Sequence, residues 1–180
     1  MRLQVQRSRL KPGPAGARVY DPAPLLEVEA LEVGPRGCTG LLGAERFLDV
    51  HHADHPDTRN VELVNGISLL PRANYDHMQA RYGGHVRVGA AGESVLVDLA
   101  SPWPGGDLLL ETEGEPLLLT DVRPAAPCVE FSRFCLGLPV GPVGEDVKQA
   151  LHDLDDGMRG YYARVAATGT VTLGARLWSA

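Results

Sequence analysis

Across residues 26–30 the apolar Leu26, Val28 and Ala30 alternate with Glu27 and Glu29, and a period of two places alternate side chains on opposite faces of a half-buried strand. The phase then slips at Leu31 and Val33. Such a slip marks either a β-bulge or a strand that leaves one sheet for another. Short apolar runs closed by Gly and Pro predict further strands at 86–88, 95–99, 108–110, 117–122, 161–166 and 170–173. Within 61–70 the pair Asn65-Gly66 lies between apolar flanks. Both residues tolerate positive φ, which predicts a hairpin; the alternative is one strand running into a turn before a helix.

Helical spacing is scarcer. Pro71 suits a first turn, Tyr75, Met78 and Tyr82 are three and four apart, and Gly83-Gly84 stops the run, which predicts a helix over 71–81. A second helix is predicted over 146–155, where Val147, Ala150, Leu151 and Leu154 form one apolar stripe, with Asp146, Lys148, Asp153 and Asp155 outside it and Gly157 to end it. The tracts 11–16 and 139–144 read as loops rather than linkers. The 180 residues fit one domain, 1–180, mainly β with a few short peripheral helices, in a barrel or a sandwich.

Composition adds exclusions. The net charge of -6, with no basic run, argues against nucleic acid as a partner, since phosphate backbones need a concentrated basic surface. Lys11 and Lys148 are the only lysines, so positive charge rests on arginine, which grips planar and multidentate anions better. The cysteines Cys38, Cys128 and Cys135 are an odd set without a CxxC pair, as suits a reducing cytosol. No stretch has the apolar core of a signal peptide or the ~20 apolar residues of a membrane span. A cytoplasmic protein with no membrane partner is expected.

The most informative segment is 117–128, an apolar strand that delivers Cys128 onto a turn stiffened by Pro124 and Pro127. Proline fixes φ and restricts the residue before it, so the sulfur is held in place. Arg123 and Arg133 lie close in sequence, and cationic neighbours favour a nucleophilic, metal-binding thiolate. The competing reading is a small buried hydrophobe, as free cysteines often are. The tract His51-His-Ala-Asp-His55-Pro-Asp57 offers metal-ligand types, or else a loop that roofs the Cys128 pocket and lends it a histidine as proton shuttle. Packing accounts for Cys38 and Cys135. Walker and dinucleotide loops, Gly-x-Ser-x-Gly elbows and His-Glu-x-x-His helices are absent from the sequence.

Several of these segments together resemble one family. Arg123 to Cys128 resembles an Arg-x-Pro-Cys turn, Gly40-Leu-Leu-Gly-Ala-Glu-Arg46 a Gly-x-x-Gly-Asp-Arg stretch, and Asp57-Thr-Arg-Asn-Val-Glu-Leu63 an Asp-Arg-Ala-Val-x-Leu strand. Gly92-Glu-Ser-Val95 resembles a Gly-Glu-Asn-Leu turn, and 157–165 followed by 169–174 a closing Arg-Gly strand and glycine turn. The order is that of the MOSC domain, named after the C-terminal part of molybdenum cofactor sulfurase, and the resemblance is strongest over 40–177. It implies a MOSC-type β-barrel of the pyruvate kinase β-barrel kind. It also implies that Cys128 carries a persulfide or ligates the metal of the molybdenum cofactor (molybdopterin), and that Arg59, Arg123, Arg159 and Glu93 are candidates to hold that cofactor.

Forked guanidinium donors suit a pterin phosphate or another anionic ligand. Glu93 would orient Cys128 or an arginine, or else sit exposed in its turn. The activities implied are those of a sulfurtransferase or of a component of a molybdenum-dependent reductase. Sulfur or electrons would come from a partner, a cysteine desulfurase or an electron-donor protein, and the resemblance carries a family association with pyridoxal phosphate. The sequence departs from the pattern at Ala44, Ser94 and Ala175, where the family has Asp, Asn and often Asp. These departures favour an alternative, a non-catalytic binding module on a MOSC scaffold whose ancestral site has drifted.

Overall fold

In the computed structural model, residues 1–60, 62–98 and 103–180 are described. Along the chain run β1 (Arg2–Gln6), β2 (Leu25–Glu27), β3 (Ala30–Gly34), β4 (Gly37–Leu42), β5 (Glu45–Leu48) and β6 (Ile67–Pro71). Then come α1 (Arg72–Tyr82), β7 (Val95–Val97), β8 (Leu108–Leu110), β9 (Leu117–Pro124), α2 (Val129–Leu136) and α3 (Glu145–Asp153). The last three are β10 (Tyr161–Val165), β11 (Gly169–Thr172) and β12 (Leu177–Ser179). The fold is mainly β, as the short apolar runs predict.

The strands make two sheets: an 8-stranded one in the order β12-β8-β9-β10-β6-β7-β1-β2, and a 4-stranded one in the order β11-β3-β4-β5. The expected barrel does not close, for among the described residues the large sheet ends at β12 on one side and β2 on the other. Its two faces explain the sequence pattern. Leu3, Val5, Ile67, Leu69, Val95 and Val97 point into a core shared with Leu31, Val33 and Val171 of the small sheet. The intervening Leu70 and Leu96 point the other way, into a second core with Tyr75 and Met78 of α1, Phe131 and Cys135 of α2, and Leu154. A strand buried on both faces reads as a continuous apolar run rather than an alternation.

The phase slip after Ala30 is a change of sheet: β2 pairs with β1 in the large sheet, while β3 pairs with β4 and β11 in the small one. Three local expectations are corrected. Asn65-Gly66 is not a hairpin turn: residues 62–66 hold no strand, and β6 pairs with β10 and, in parallel, with β7. The alternative of a strand leading into a helix is nearer, with β6 running directly into α1, the helix that a parallel crossover needs between its strands. Pro71 stands at the N-cap of α1 in extended conformation, and Gly83, at φ 105, ends it. Residues 86–88 form a turn rather than a strand; Gln4 and Gln6, on the helix side of β1, donate to the carbonyls of Gly89 and Gly92 at 2.8 and 2.7 Å and pin this segment down. Helix α2 is additional: it is only 8 residues long, two turns, too short for periodicity to reveal. Val61 and Leu99, in two of the predicted strands, lie outside the described residues.

Candidate functional site

Strand β9 and the turn between Pro124 and Pro127 carry Cys128 to the N-cap of α2, where its extended backbone (φ -131, ψ 152) turns the chain into the helix. Its carbonyl accepts the Ser132 amide at 3.0 Å. The turn is tied to a second one by the Ala125 amide, which donates to the Gly160 carbonyl at 2.8 Å. That second turn presents Arg159. A third wall is the loop after β5, fixed by Asn60: its side-chain amide donates to the carbonyls of His51 and Asn65 at 3.0 and 3.1 Å and accepts the Asn65 amide at 3.1 Å. The N-terminal segment after β1 closes the fourth side, anchored by the Tyr20 hydroxyl, which donates to the Ala90 carbonyl at 2.7 Å.

These four segments enclose a cleft of about 200 Å³ lined by Cys128, Arg59, Arg159, His51, Tyr20, Tyr162 and the N-terminal Arg9, Lys11 and Arg18. In a protein of net charge -6, the cleft holds five cationic side chains against one carboxylate, Asp57. Arg9 reaches that carboxylate at 3.8 Å. No ion pair among the described residues engages Arg18, Arg59 or Arg159. The Arg159 guanidinium instead lies 4.2 Å over the Phe131 ring. A partly buried cation without a counter-ion is costly, and an oxyanion ligand offsets that cost with forked, charge-assisted bonds. A larger depression, about 480 Å³ at the Met1, Val97 and Trp178 corner, holds neither a nucleophile nor a cluster of cations.

His51 enters the cleft in a defined orientation. Asp49, buried at the end of β5, accepts the Gln6 amide at 2.7 Å, the His51 amide at 2.9 Å and His51 Nδ1 at 2.8 Å. Burial alone would raise the Asp49 pKa, but the hydrogen bonds from His51 and Gln6 hold it below the usual carboxylate range. The other two histidines of the tract serve the loop itself. His52 Nδ1 accepts the Asp54 amide at 3.1 Å, while His55 bonds the Arg7 carbonyl at 3.1 Å and the Asp57 amide at 3.0 Å. Among the described residues no group of three or more His, Cys, Asp or Glu is placed to hold a metal ion.

The sequence candidates therefore separate. Cys128, Arg59 and Arg159 share the cleft; Arg123 does not. Opposite Ala163, β9 inserts Asp121 and Val122 as a bulge, with Asp121 at φ 51. Arg123 beyond it is engaged by the Asp121 carboxylate, the Val64 carbonyl at 2.8 Å and Asn65 Oδ1 at 2.9 Å. Arg133 is turned to the far end of α2, where it donates to the Gly141 carbonyl. Ser94, one of the departures from the resemblance, is buried and shares a 3.0 Å hydrogen bond with Ser68. Sequence reasoning missed the N-terminal wall. Its signal was the cluster of Arg9, Lys11, Arg18 and Tyr20 in and around the tract 11–16, which reads only as a loop.

Glu93 is not an exposed turn residue but 3% exposed. Its Oε2 accepts the Tyr75 hydroxyl at 2.7 Å, and its Oε1 has no partner. It borders a small cavity of about 20 Å³ behind the cleft, which Arg159 and Tyr162 also line. Burial pushes its pKa up to about 7. The folded protein thus holds this proton more tightly than the unfolded chain does. The resulting stability is complete at pH below the ordinary glutamate range and is lost as pH rises through about 7. Glu93→Gln is expected to stabilise the fold by about 2–3 kcal/mol near pH 8 and to change it little near pH 5. Urea unfolding at the two pH values checks this; equal effects at both would show that Glu93 does not titrate in this range.

Comparison with known proteins agrees with this architecture. The family model for the MOSC domain matches residues 56–178. Among solved structures, the YuaD protein from Bacillus subtilis superposes with a TM-score of 0.51 at 16% identity, covering 98% of this chain and 94% of that one. A hypothetical protein superposes with a TM-score of 0.52 at 17% identity, covering 98% of this chain and 67% of that one. At such identities the likeness concerns the fold. No curated protein matches. With the family model spanning more than half of its length, the chain belongs to the MOSC domain family.

Proposed function

We propose that this protein binds the molybdenum cofactor, or another pterin or anionic ligand of that kind, in the arginine-lined cleft, with Cys128 as persulfide carrier or metal ligand. The family is associated with that cofactor. The observation that carries the reading is the cleft itself, which sets Arg59 and Arg159 beside a half-buried Cys128 without carboxylate partners of their own. Arg59, Arg159 and the N-terminal Arg18 would hold the phosphate, Tyr162 would flank the ligand, and Cys128 would offer its sulfur. When bound, the cofactor supplies the molybdenum redox centre. The protein would then work as a sulfurtransferase or as a component of a molybdenum-dependent reductase, fed by a cysteine desulfurase or an electron-donor protein. Arg123 and Glu93 have no part in holding the ligand in this reading. The engagement of Ser94 by Ser68 favours a second reading, a binding module whose ancestral site has drifted.

The test has two arms. Purified protein is analysed for molybdenum, pterin and sulfane sulfur, and calorimetric titration with inorganic phosphate compares the wild type with two variants. Arg159→Ala should weaken phosphate binding by at least about tenfold, and Arg123→Ala by less than about twofold. Equal binding by wild type and Arg159→Ala would remove the anion site from the reading. Binding of phosphate or pterin with no sulfane sulfur or molybdenum ever retained would leave the binding module.

A further inference from the structure

The cleft contains a pair that its anion-binding role does not require. Asp49 is 2% exposed, and its pKa is held low by hydrogen bonds that outweigh burial, so it is ionised and can only accept. His51 Nδ1, 2.8 Å from Asp49 Oδ1, must therefore carry a hydrogen and donate it. When the ring is neutral its lone pair is therefore on Nε2, a nitrogen without a partner among the described residues, on a ring that lines the cleft. A buried carboxylate that orients an imidazole and stabilises the imidazolium is a general device for moving protons.

We propose that Asp49 and His51 form the proton-transfer pair of this cleft: when an oxyanion occupies the arginine-lined site, His51 Nε2 takes up a proton, and it can pass that proton to the bound ligand. The proposal rests on the anion site proposed above. The proton comes from solvent and leaves to a basic or departing atom of the ligand, His51 returns to the neutral Nδ1–H form, and Asp49 stays a carboxylate throughout. No electrons move in this step. The charged and titratable groups that share the cleft with His51 are Arg9, Lys11, Arg18, Arg59, Arg159, Asp57, Cys128, Tyr20 and Tyr162. Asp49, in contact with Nδ1, stabilises a positive charge on the ring, and an anion bound among the surrounding cations offsets their repulsion of it. Glu93, behind Arg159, is the competing titratable group.

Sulfate is the informative probe, because it carries no titrating proton near neutrality and any proton taken up on binding belongs to the protein. Calorimetric titrations with sulfate near pH 7, in buffers of different ionisation enthalpy, should show net proton uptake on binding, clearly above zero and at most about one proton per sulfate. His51→Gln and Asp49→Asn should bring this close to zero. Uptake that persists in His51→Gln, or that vanishes in Glu93→Gln alone, overturns the proposal. A second measurement needs no ligand: two-bond nitrogen–proton NMR spectra of the imidazoles should show His51 as the Nδ1–H tautomer in wild type, and an Nε2–H tautomer overturns the pair. If sulfate and phosphate both fail to bind while the tautomer is as expected, the anion site falls, and with it proton uptake coupled to anion binding, leaving only the Asp49–His51 hydrogen bond.

Discussion

In the native protein near pH 7, iodoacetamide should alkylate Cys128 at least about a hundred times faster than Cys38 or Cys135, because only an accessible thiol reacts without prior opening of the fold. Cys38 lies in the core between the sheets with its sulfur 3.2 Å from the Gly66 carbonyl, and burial drives its pKa far up. Cys135 is fully buried in α2, and burial pushes its pKa up to about 12. At neutral pH a thiol of that kind is thiolate in only about one molecule in a hundred thousand. Cys128 is half-buried and lines the cleft. Peptide mass spectrometry locates the adduct, and Cys128→Ser should abolish the fast phase. A dianionic disulfide reagent should react faster still, and phosphate should slow it, because the cationic walls attract both. Fast labelling of Cys135, or labelling of Cys128 only in urea, would remove the chemical role from the cleft.

What the chain discloses before folding depends on how local each signal is. The change of sheet at Ala30 is legible because a period of two records which face each residue buries, and a slip in that period has few causes. Delivery of Cys128 by a strand and two prolines is legible for the same reason, being written in consecutive residues. Helix α2 stays hidden because its stripe is only Phe131 and Cys135, four residues apart. Charge near Cys128 misleads for another reason. Arg123 is five residues away in sequence, yet the bulge at Asp121 and Val122 sends it to Asn65 and Asp121, whereas Arg59 and Arg159 reach the cleft from distant loops. Glu93 in a Gly-Glu turn looks exposed until α1 places the Tyr75 hydroxyl against it. The Asp49–His51 pair was half visible: the histidine tract stood out, but the fact that Asp49 selects His51 from three neighbours depends on the packing of β1 against β5.

A large loss of stability should follow Gly160→Ala. Gly160 stands at φ 98, in a region that side chains avoid, and a Cβ there would lie 2.5 Å from the Leu69 carbonyl oxygen and 2.9 Å from Leu70 Cδ1. Neither neighbour can yield cheaply: Leu69 pairs with Tyr161 in the β6–β10 ladder, and Leu70 is fully buried in the helix-side core. Backbone strain and displacement of the ladder together should cost roughly 3–5 kcal/mol. Gly141→Ala, where a Cβ meets open space and φ is not positive, should change stability by less than about 0.5 kcal/mol. Urea midpoints at an unchanged slope measure both. The same glycine accepts the Ala125 amide at 2.8 Å and follows Arg159 directly, so it holds the Cys128 turn and the Arg159 turn together. The Gly160→Ala protein that remains folded in the cold should therefore bind phosphate at least about tenfold more weakly than wild type, while Gly141→Ala binds normally. If Gly160→Ala unfolds at the wild-type midpoint, the close approach of this turn to β6 is not what fixes Arg159 in the cleft.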